Sequence, residues 1–389
     1  MTFGSYLLLM RYILILIFSF LVFTACKNEK QVEKHIQTPT SSVSKNIKYA
    51  KGFTIKTHKN YKEISVTSAW PNSNKIFKYI LIKTGQPIPE HSTNTLVISI
   101  PIKRTVVMST TNIPALEYLN EENSLVGFPN TDYISSKKTR QLIDEEKIKD
   151  LNNDLDINME LLLDLNPELV IGFSVNGSNK SLNKIEKFGI PVVLDGAWTE
   201  QTPLGRAEWI KFIAAFFDKD EEANILFNKI EDDYLKAKKL AKHTKTKPTV
   251  LSGTLFNDIW NIPGGNSFVA QYLKDANTNY IWKDDKSTGS LQLNFENVLE
   301  KAKKADLWIG TGAFKNKEDM LSLHKGYGYF DAFKNNKIHT FTKNKGAKGG
   351  LLYFELGPLR PDLILKDIIK IAHPEVLPNY ESYFFKPLH

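Results

Sequence analysis

From residue 47 to residue 103, large apolar side chains alternate with polar ones in the runs FTIKTH, EISVTSAW, KYILIKT and TLVISIPI. Strand side chains point to opposite faces in turn, so a period of two, broken by Asn, Gly and Pro, predicts short antiparallel strands. The pattern changes after residue 104. TVVMST, SLVGF, ELVIGF and IPVVLDG are short apolar runs, and IPALEYL, MELLLDL and SLNKIEKF between them carry helical spacing. Strands alternating with helices predict a parallel sheet.

Residues 203–217, PLGRAEWIKFIAAFF, predict an amphipathic helix with Thr202 as N-cap and Pro203 in its first position. Asp218-Lys219-Asp220 breaks it, and Asp220 stands where it can cap a second helix running to about Lys242. In that helix Ala223, Leu226, Phe227, Ile230, Tyr234 and Ala237 follow the spacing of one buried stripe. At 1.5 Å per residue it is roughly 33 Å long, enough to join two small domains. Strands and helices then alternate again through PTVLSGTL, SFVAQYLKDA, ENVLEKAKKA, DLWIGT, HTFT and DLILKDIIKIA, the last stopped at His373-Pro374. The fold class predicted is α/β: two Rossmann-like lobes joined by a long rigid helix, with an extra N-terminal antiparallel β region. The expected boundaries are 47–103 for a β-rich extension packing on the first lobe, 104–219 for the N-terminal lobe, 220–243 for the connecting helix, and 244–389 for the C-terminal lobe and tail.

One helix–strand unit is written twice, as INMELLLDLNPELVIG at 157–172 and LNFENVLEKAKKADLWIG at 293–310. Asn158 and Asn294 are strong N-caps, which put Glu160 and Glu296 in the first helical turn. The helix dipole there stabilises a carboxylate by about 0.3–1 kcal/mol, so two well-capped helices already explain the pattern. The recurrence adds a second reading. One rigid, exposed carboxylate per lobe makes a two-point docking surface for a partner bearing Arg.

The ends and totals narrow the setting. Residues 12–23 are an apolar run preceded by Arg11 and followed by Thr24, Ala25 and Cys26. That is an export signal (1–25), too short for a membrane span; Met10-Arg11 would also make a tidy start. Cys26, the only cysteine, sits at the cleavage point, and the pattern resembles a bacterial lipoprotein signal. Acylation there would anchor the chain and leave no thiol for a disulfide. Residues 26–46 are rich in Lys, Gln, Thr and Ser and read as a flexible tether. The formal charge is +8, but the Lys residues are scattered, a solvated surface rather than a nucleic-acid footprint. No P-loop, Gly-x-Ser-x-Gly or His-Glu-x-x-His motif occurs, and Lys315 stands where a third Gly would be needed in GTGAFKN. An enzyme is therefore not expected.

The layout resembles the class III periplasmic substrate-binding proteins of ABC importers, which serve ferric siderophores, haem and cobalamin. The stretches that carry it are RTVVMSTTNIPALEYL, INMELLLDLNPELVIGF, KFGIPVV, LNFENVLEKAKKADLWIG and RPDLILKDIIKIAHPEVLP, across residues 104–377. The resemblance implies that Glu160 and Glu296 meet Arg residues of a membrane permease. With Cys26 acylated, the expected setting is a lipid-anchored monomer on the periplasmic side of a bacterial membrane.

In two-lobed α/β proteins the loops at the carboxyl ends of the strands face the crevice. Here those loops carry Tyr133, Phe173, Trp198, Phe256, Trp260, Phe314 and Tyr353, aromatics suited to a flat or bulky ligand. Arg140, Arg206 and Arg360 are candidate partners for ligand carboxylates or catecholates, although Arg206 could simply face outward from its helix. The eight His are dispersed, which argues against a bare metal ion; His324 with Tyr327 and Tyr329 is the one possible haem-ligating group. The expected ligand is an organic metal chelate, with no intrinsic cofactor and no nucleic acid: a ferric siderophore or haem, with cobalamin as the alternative. A structural or adhesive surface lipoprotein is the alternative outside transport.

Overall fold

The chain builds four sheets that matter for the site, seen in a computed structural model that describes Ser42–Val43 and residues 47–389. The signal, Cys26 and nearly all of the tether lie outside the described residues. The N-terminal sheet holds β1 (Ser42–Val43), β2 (Phe53–Thr57), β3 (Tyr61–Val66), β4 (Phe77–Lys83) and β5 (Thr95–Ile100), in that order. β1 to β4 pair antiparallel. The last pair departs from the expected pattern, because β4 and β5 run parallel, Lys78 opposite Thr95 and Lys83 opposite Ile100. Alternation sets the face each side chain takes but not the strand's direction, and residues 84–94 carry the chain back to the starting end.

The first α/β lobe contains β6 (Thr105–Val107), β7 (Leu125–Phe128), β8 (Lys149–Asp150), β9 (Leu169–Gly172) and β10 (Val192–Leu194). Their order is β10-β9-β6-β7-β8, every pair parallel. Helices α1 (Ile113–Tyr118), α2 (Lys137–Asp144), α3 (Met159–Leu165) and α4 (Lys180–Lys187) connect them. Alternate strand residues enter two separate cores. Val107, Ile171 and Val193 join Phe53, Ile64 and Leu81 of the N-terminal sheet, whereas Val106, Val170 and Val192 join Leu162, Leu182 and Ile185 of α3 and α4. Burial on both faces is why these strands read as continuous apolar runs.

Residues 203–217 are two helices, α5 (Pro203–Glu208) and α6 (Ile210–Phe216), and not the single amphipathic one that their spacing predicts. Thr202 caps α5 through the Gly205 N–H, but every residue of α6 is buried. The N-terminal sheet covers the side that would otherwise meet water. Lys211 is tolerated there because its Nζ lies 2.8 Å from the buried Glu208 carboxylate. The helix that follows, α7 (Asp220–Lys242), has Lys219 and not Asp220 at its N-cap position; the Asp220 carboxylate pairs with Lys62 of β3 instead. Its buried stripe is shared. Ala223, Phe227 and Ile230 enter the first lobe's core, and Tyr234, Ala237 and Ala241 enter the second lobe's.

The second lobe comprises β11 (Thr249–Ser252), β12 (Thr254–Phe256), β13 (Ile259–Pro263), β14 (Asn279–Tyr280), β15 (Ser290–Leu293), β16 (Leu307–Ile309), β17 (Ile338–Thr340) and β18 (Lys386–Pro387). The main sheet runs β14-β11-β16-β17-β18, parallel except for β18. β12, β13 and β15 form a small antiparallel sheet in place of the loop expected to carry Phe256 and Trp260. Its hairpin turns at Asn257 and Asp258, with φ of 48° and 61°. A two-residue turn of this hand needs positive φ at both positions, which Asn and Asp tolerate. Helices α8 (Phe268–Asp275), α9 (Phe295–Ala302), α10 (Lys317–Leu323), α11 (Asp331–Lys334), α12 (Leu352–Leu356) and α13 (Pro361–Ala372) complete the lobe. No helix among the described residues is long and apolar enough to cross a membrane.

Candidate functional site

The two repeated units fold alike. Asn158 Oδ1 accepts the Leu161 N–H at 3.0 Å, and Asn294 Oδ1 accepts the Asn297 N–H at 2.9 Å. Glu160 and Glu296 each become the second helical residue, and both are exposed. Met159 and Leu162 in one helix, and Val298 and Ala302 in the other, bury the opposite sides. Each lobe thus presents one solvent-facing carboxylate fixed by a capped helix.

Between the lobes lies a cavity of about 240 Å³ lined by Ser109, Thr111, Phe173, Val175, Asp195, Ala197, Trp198, Arg206 and Pro358. The first seven belong to loops that follow β6, β9 and β10, at the carboxyl ends of the strands. Arg206 is well positioned there. Its Nε donates to the Glu200 carbonyl at 3.1 Å and its Nη2 to the Trp198 carbonyl at 2.6 Å, and its guanidinium carbon lies 3.5 Å above the Phe268 ring. It does not face outward into water. Burial pushes its pKa down, and among the described residues it has no carboxylate at ion-pair distance. Trp198 has a buried Nε1–H without an acceptor. Asp195, by contrast, is satisfied by Asn112 Nδ2 at 2.6 Å and the Ala197 N–H at 2.8 Å. Burial raises its pKa against the pull of those two donors.

Phe173, Trp198 and Arg206 are therefore brought together in the cavity lining; Tyr353 lies near Arg206 without lining it, and the other expected ligand residues are elsewhere. Trp260 is wholly buried on β13, stacked 5.3 Å from Trp308, with its Nε1–H on the Ser252 carbonyl at 3.2 Å. The hairpin alternation points Trp260 into the core and leaves Phe256 outside, 69% exposed. Phe314 is half-buried against Tyr327, and Tyr353 stacks on Phe341 at 4.8 Å. Burial lifts the Tyr353 hydroxyl to about 12, with nearby Arg206 opposing. Arg360 is spent within the protein, forking onto Asp362 with two bonds of 2.8 Å and donating to the Tyr118 hydroxyl at 3.0 Å. Arg140 braces its own loop through the Thr131 and Ile134 carbonyls, and Tyr133 projects into solvent. The His324 group does not assemble either. Tyr327 is buried with its hydroxyl on Thr254 and the Leu255 N–H, while His324 packs on Phe295 and accepts the Gly326 N–H. Among the described residues no three His, Cys, Asp or Glu side chains converge as a metal site would require.

A larger cavity of about 510 Å³ also lies between the lobes, lined by Glu117, Tyr118, Ser136, Lys345, Glu355 and neighbouring residues. Its carboxylates are already occupied. Glu117 accepts from the Ser136 and Thr139 hydroxyls, and Glu355 accepts the Ser135 and Ser136 N–H groups. Among the described residues each cavity has one unpartnered buried donor, the Ser135 hydroxyl at the larger and the Trp198 Nε1–H at the smaller, and the smaller adds the Arg206 guanidinium with no carboxylate at ion-pair distance. Asp195 and Pro358 were not singled out from sequence. Asp195 opens a loop that was, whereas Pro358 lies beyond every strand-end loop and carries no local signal.

Residues 106–344 match the sequence profile of the periplasmic binding proteins. An uncharacterised lipoprotein of Methanocaldococcus jannaschii is 28% identical over 379 residues, covering 92% of this chain and 89% of the relative. A second lipoprotein of that organism is 25% identical over 391 residues, covering 94% and 95%. Among solved structures, a possible iron-binding periplasmic solute-binding protein of Staphylococcus epidermidis is similar with a TM-score of 0.56 at 19% identity, covering 70% of this chain and 100% of that one. A periplasmic haem-binding protein of Pseudomonas aeruginosa gives 0.55 at 15% identity, covering 74% and 98%. At such identities the likeness to the solved structures is one of fold.

Proposed function

This chain belongs to the periplasmic binding protein family, and on that premise we propose that it captures an anionic iron chelate, a ferric siderophore or haem, and delivers it to an ABC permease. The observation that carries the ligand class is Arg206, half-buried at the interlobe cavity with two carbonyls and an aromatic face as its partners. A guanidinium turned away from water without a carboxylate loses part of its solvation, and a ligand that supplies negative charge restores it. The unpartnered Trp198 Nε1–H beside it favours a ligand acceptor as well. At about 240 Å³ the cavity is smaller than the roughly 300–1,000 Å³ of drug-sized sites, so it seats the charged head of a chelate and leaves the bulk at the mouth. Uncharged cobalamin fits that chemistry less well.

Delivery falls to Glu160 and Glu296 as the two docking points. Anchoring falls to acylated Cys26, a reading supported by relatives named as lipoproteins. The test is a titration of the exported chain with haemin, ferric tricatecholate, ferric trihydroxamate and cobalamin, followed by absorbance and melting temperature. A ligand at 100 times its Kd stabilises by about 2.7 kcal/mol. A melting shift with an anionic chelate that disappears in Arg206→Ala is the expected result. No shift with any of the four would reject the proposal.

A further inference from the structure

The N-terminal sheet lies outside the family match, which begins at residue 106. Its inner face packs on the first lobe, as any stabilising layer would. Part of its polar contacts hold Glu208, Glu231, Asp218 and Asp220, away from the cavity; another set falls on the two loops that line it. The Ser68 carbonyl accepts the Thr199 hydroxyl at 3.1 Å. Gly196 is pressed so near that carbonyl that a β-carbon there would sit 2.2 Å from the oxygen. Trp70 covers Gly177, where φ is +82° and a β-carbon would come within 2.7 Å of the indole. Gly196 belongs to the loop bearing Trp198, and Gly177 to the loop bearing Phe173 and Val175.

Glu200 links these contacts to the guanidinium. Its Oε1 accepts the Lys51 and Gly52 N–H groups, each at 2.8 Å, and the Trp209 Nε1–H at 3.0 Å. Its own carbonyl accepts the Arg206 Nε–H. The start of the N-terminal layer thus holds the carboxylate of the residue whose backbone orients the cavity's cation.

We infer that the N-terminal sheet is part of the ligand-binding apparatus: its 51–70 segment holds the 173–179 and 195–200 loops in place, and Glu200 is a positioning residue that sets the direction of the Arg206 guanidinium. This rests on the reading of the cavity as an anionic-chelate site.

The test uses the whole exported chain with Glu200→Ala, Glu200→Gln and Thr199→Val. Hydrogen exchange reads the two loops without any ligand, and affinity is measured for ferric tricatecholate, which is anionic, and ferric trihydroxamate, which is neutral. Glu200→Ala is expected to speed exchange in 195–200 by about tenfold. It should weaken tricatecholate binding by about tenfold while leaving the trihydroxamate nearly unchanged. Gln keeps an acceptor oxygen and should restore both. Thr199→Val, a milder change that retains the fold if Glu200→Ala does not, should loosen the same loop. Unchanged exchange in all three variants overturns the inference, and so does an equal loss for both chelates, which a merely structural residue would give. Loosened loops in a chain that binds neither chelate uphold the holding of the loops and sink the reading of the cavity.

Discussion

The Glu355 carboxylate, on the second lobe, accepts the backbone N–H of Ser135, on the first, at 2.6 Å. Its other oxygen accepts the Ser136 N–H at 2.8 Å, so one buried side chain latches the lobes together. Burial raises its pKa from 4.5 to about 7, with Glu117 adding to the rise and the two N–H donors and Arg140 opposing it. Between those values the folded chain holds a proton that the unfolded chain has released. Stability therefore falls as pH rises from about 4.5 to about 7 and levels off above. The window is worth on the order of 3 kcal/mol at about 1.36 kcal/mol per unit. Thermal melts across that range should show a downward slope in the wild type that Glu355→Gln lacks; equal slopes would place the titrating group elsewhere.

Glu160 and Glu296 are exposed and make no contact that folding needs. Replacing both with Ala should cost about 0.3–1 kcal/mol each, leave chelate affinity unchanged, and abolish uptake into vesicles carrying the permease. Asn158→Ala and Asn294→Ala are the controls, each costing about 1 kcal/mol as a lost cap while the charges remain. Uptake that survives the double Glu variant would dismiss the docking role.

Arg206→Lys keeps the charge and loses the shape. An ammonium cannot lie flat on Phe268 while donating to both the Glu200 and Trp198 carbonyls. Binding of an anionic chelate should weaken by about tenfold or more, read by titration, with little change in unfolding midpoint. Equal affinity would show that the guanidinium plane is not what the ligand meets.

Glu208 is fully buried and gathers the Lys48, Tyr49 and Ala50 N–H groups together with the Lys211 ammonium. Glu208→Ala breaks a buried pair and strands three backbone donors. The expected loss is about 3–5 kcal/mol in urea unfolding. A loss below about 1 kcal/mol would mean that water replaces the carboxylate.

The capped helices bearing Glu160 and Glu296 were legible because every determinant is local: an Asn, the next turn, and one apolar side. The stripe of α7 was legible for the same reason. The cavity was legible only in part. Phe173, Trp198 and Arg206 follow strands whose ends could be placed, but Trp260 sits on a hairpin whose turn, Asn257-Asp258, was read as open loop. Once paired, a two-residue period sends Trp260 inward. Arg360 looked free because Asp362 and Tyr118 become its partners only in the folded chain.

The alternation of elements, the capped acids and the single long apolar stripe of α7 are set locally, since each depends on neighbours within a turn or two. Tertiary contacts decide that Arg206 meets carbonyls and an aromatic face at the cavity, that the lobes are latched through Glu355, and that the 51–70 segment holds the cavity loops. Those outcomes depend on groups brought together from as far apart as residues 135 and 355, where the energies of burial and pairing are set by surroundings that no local pattern encodes.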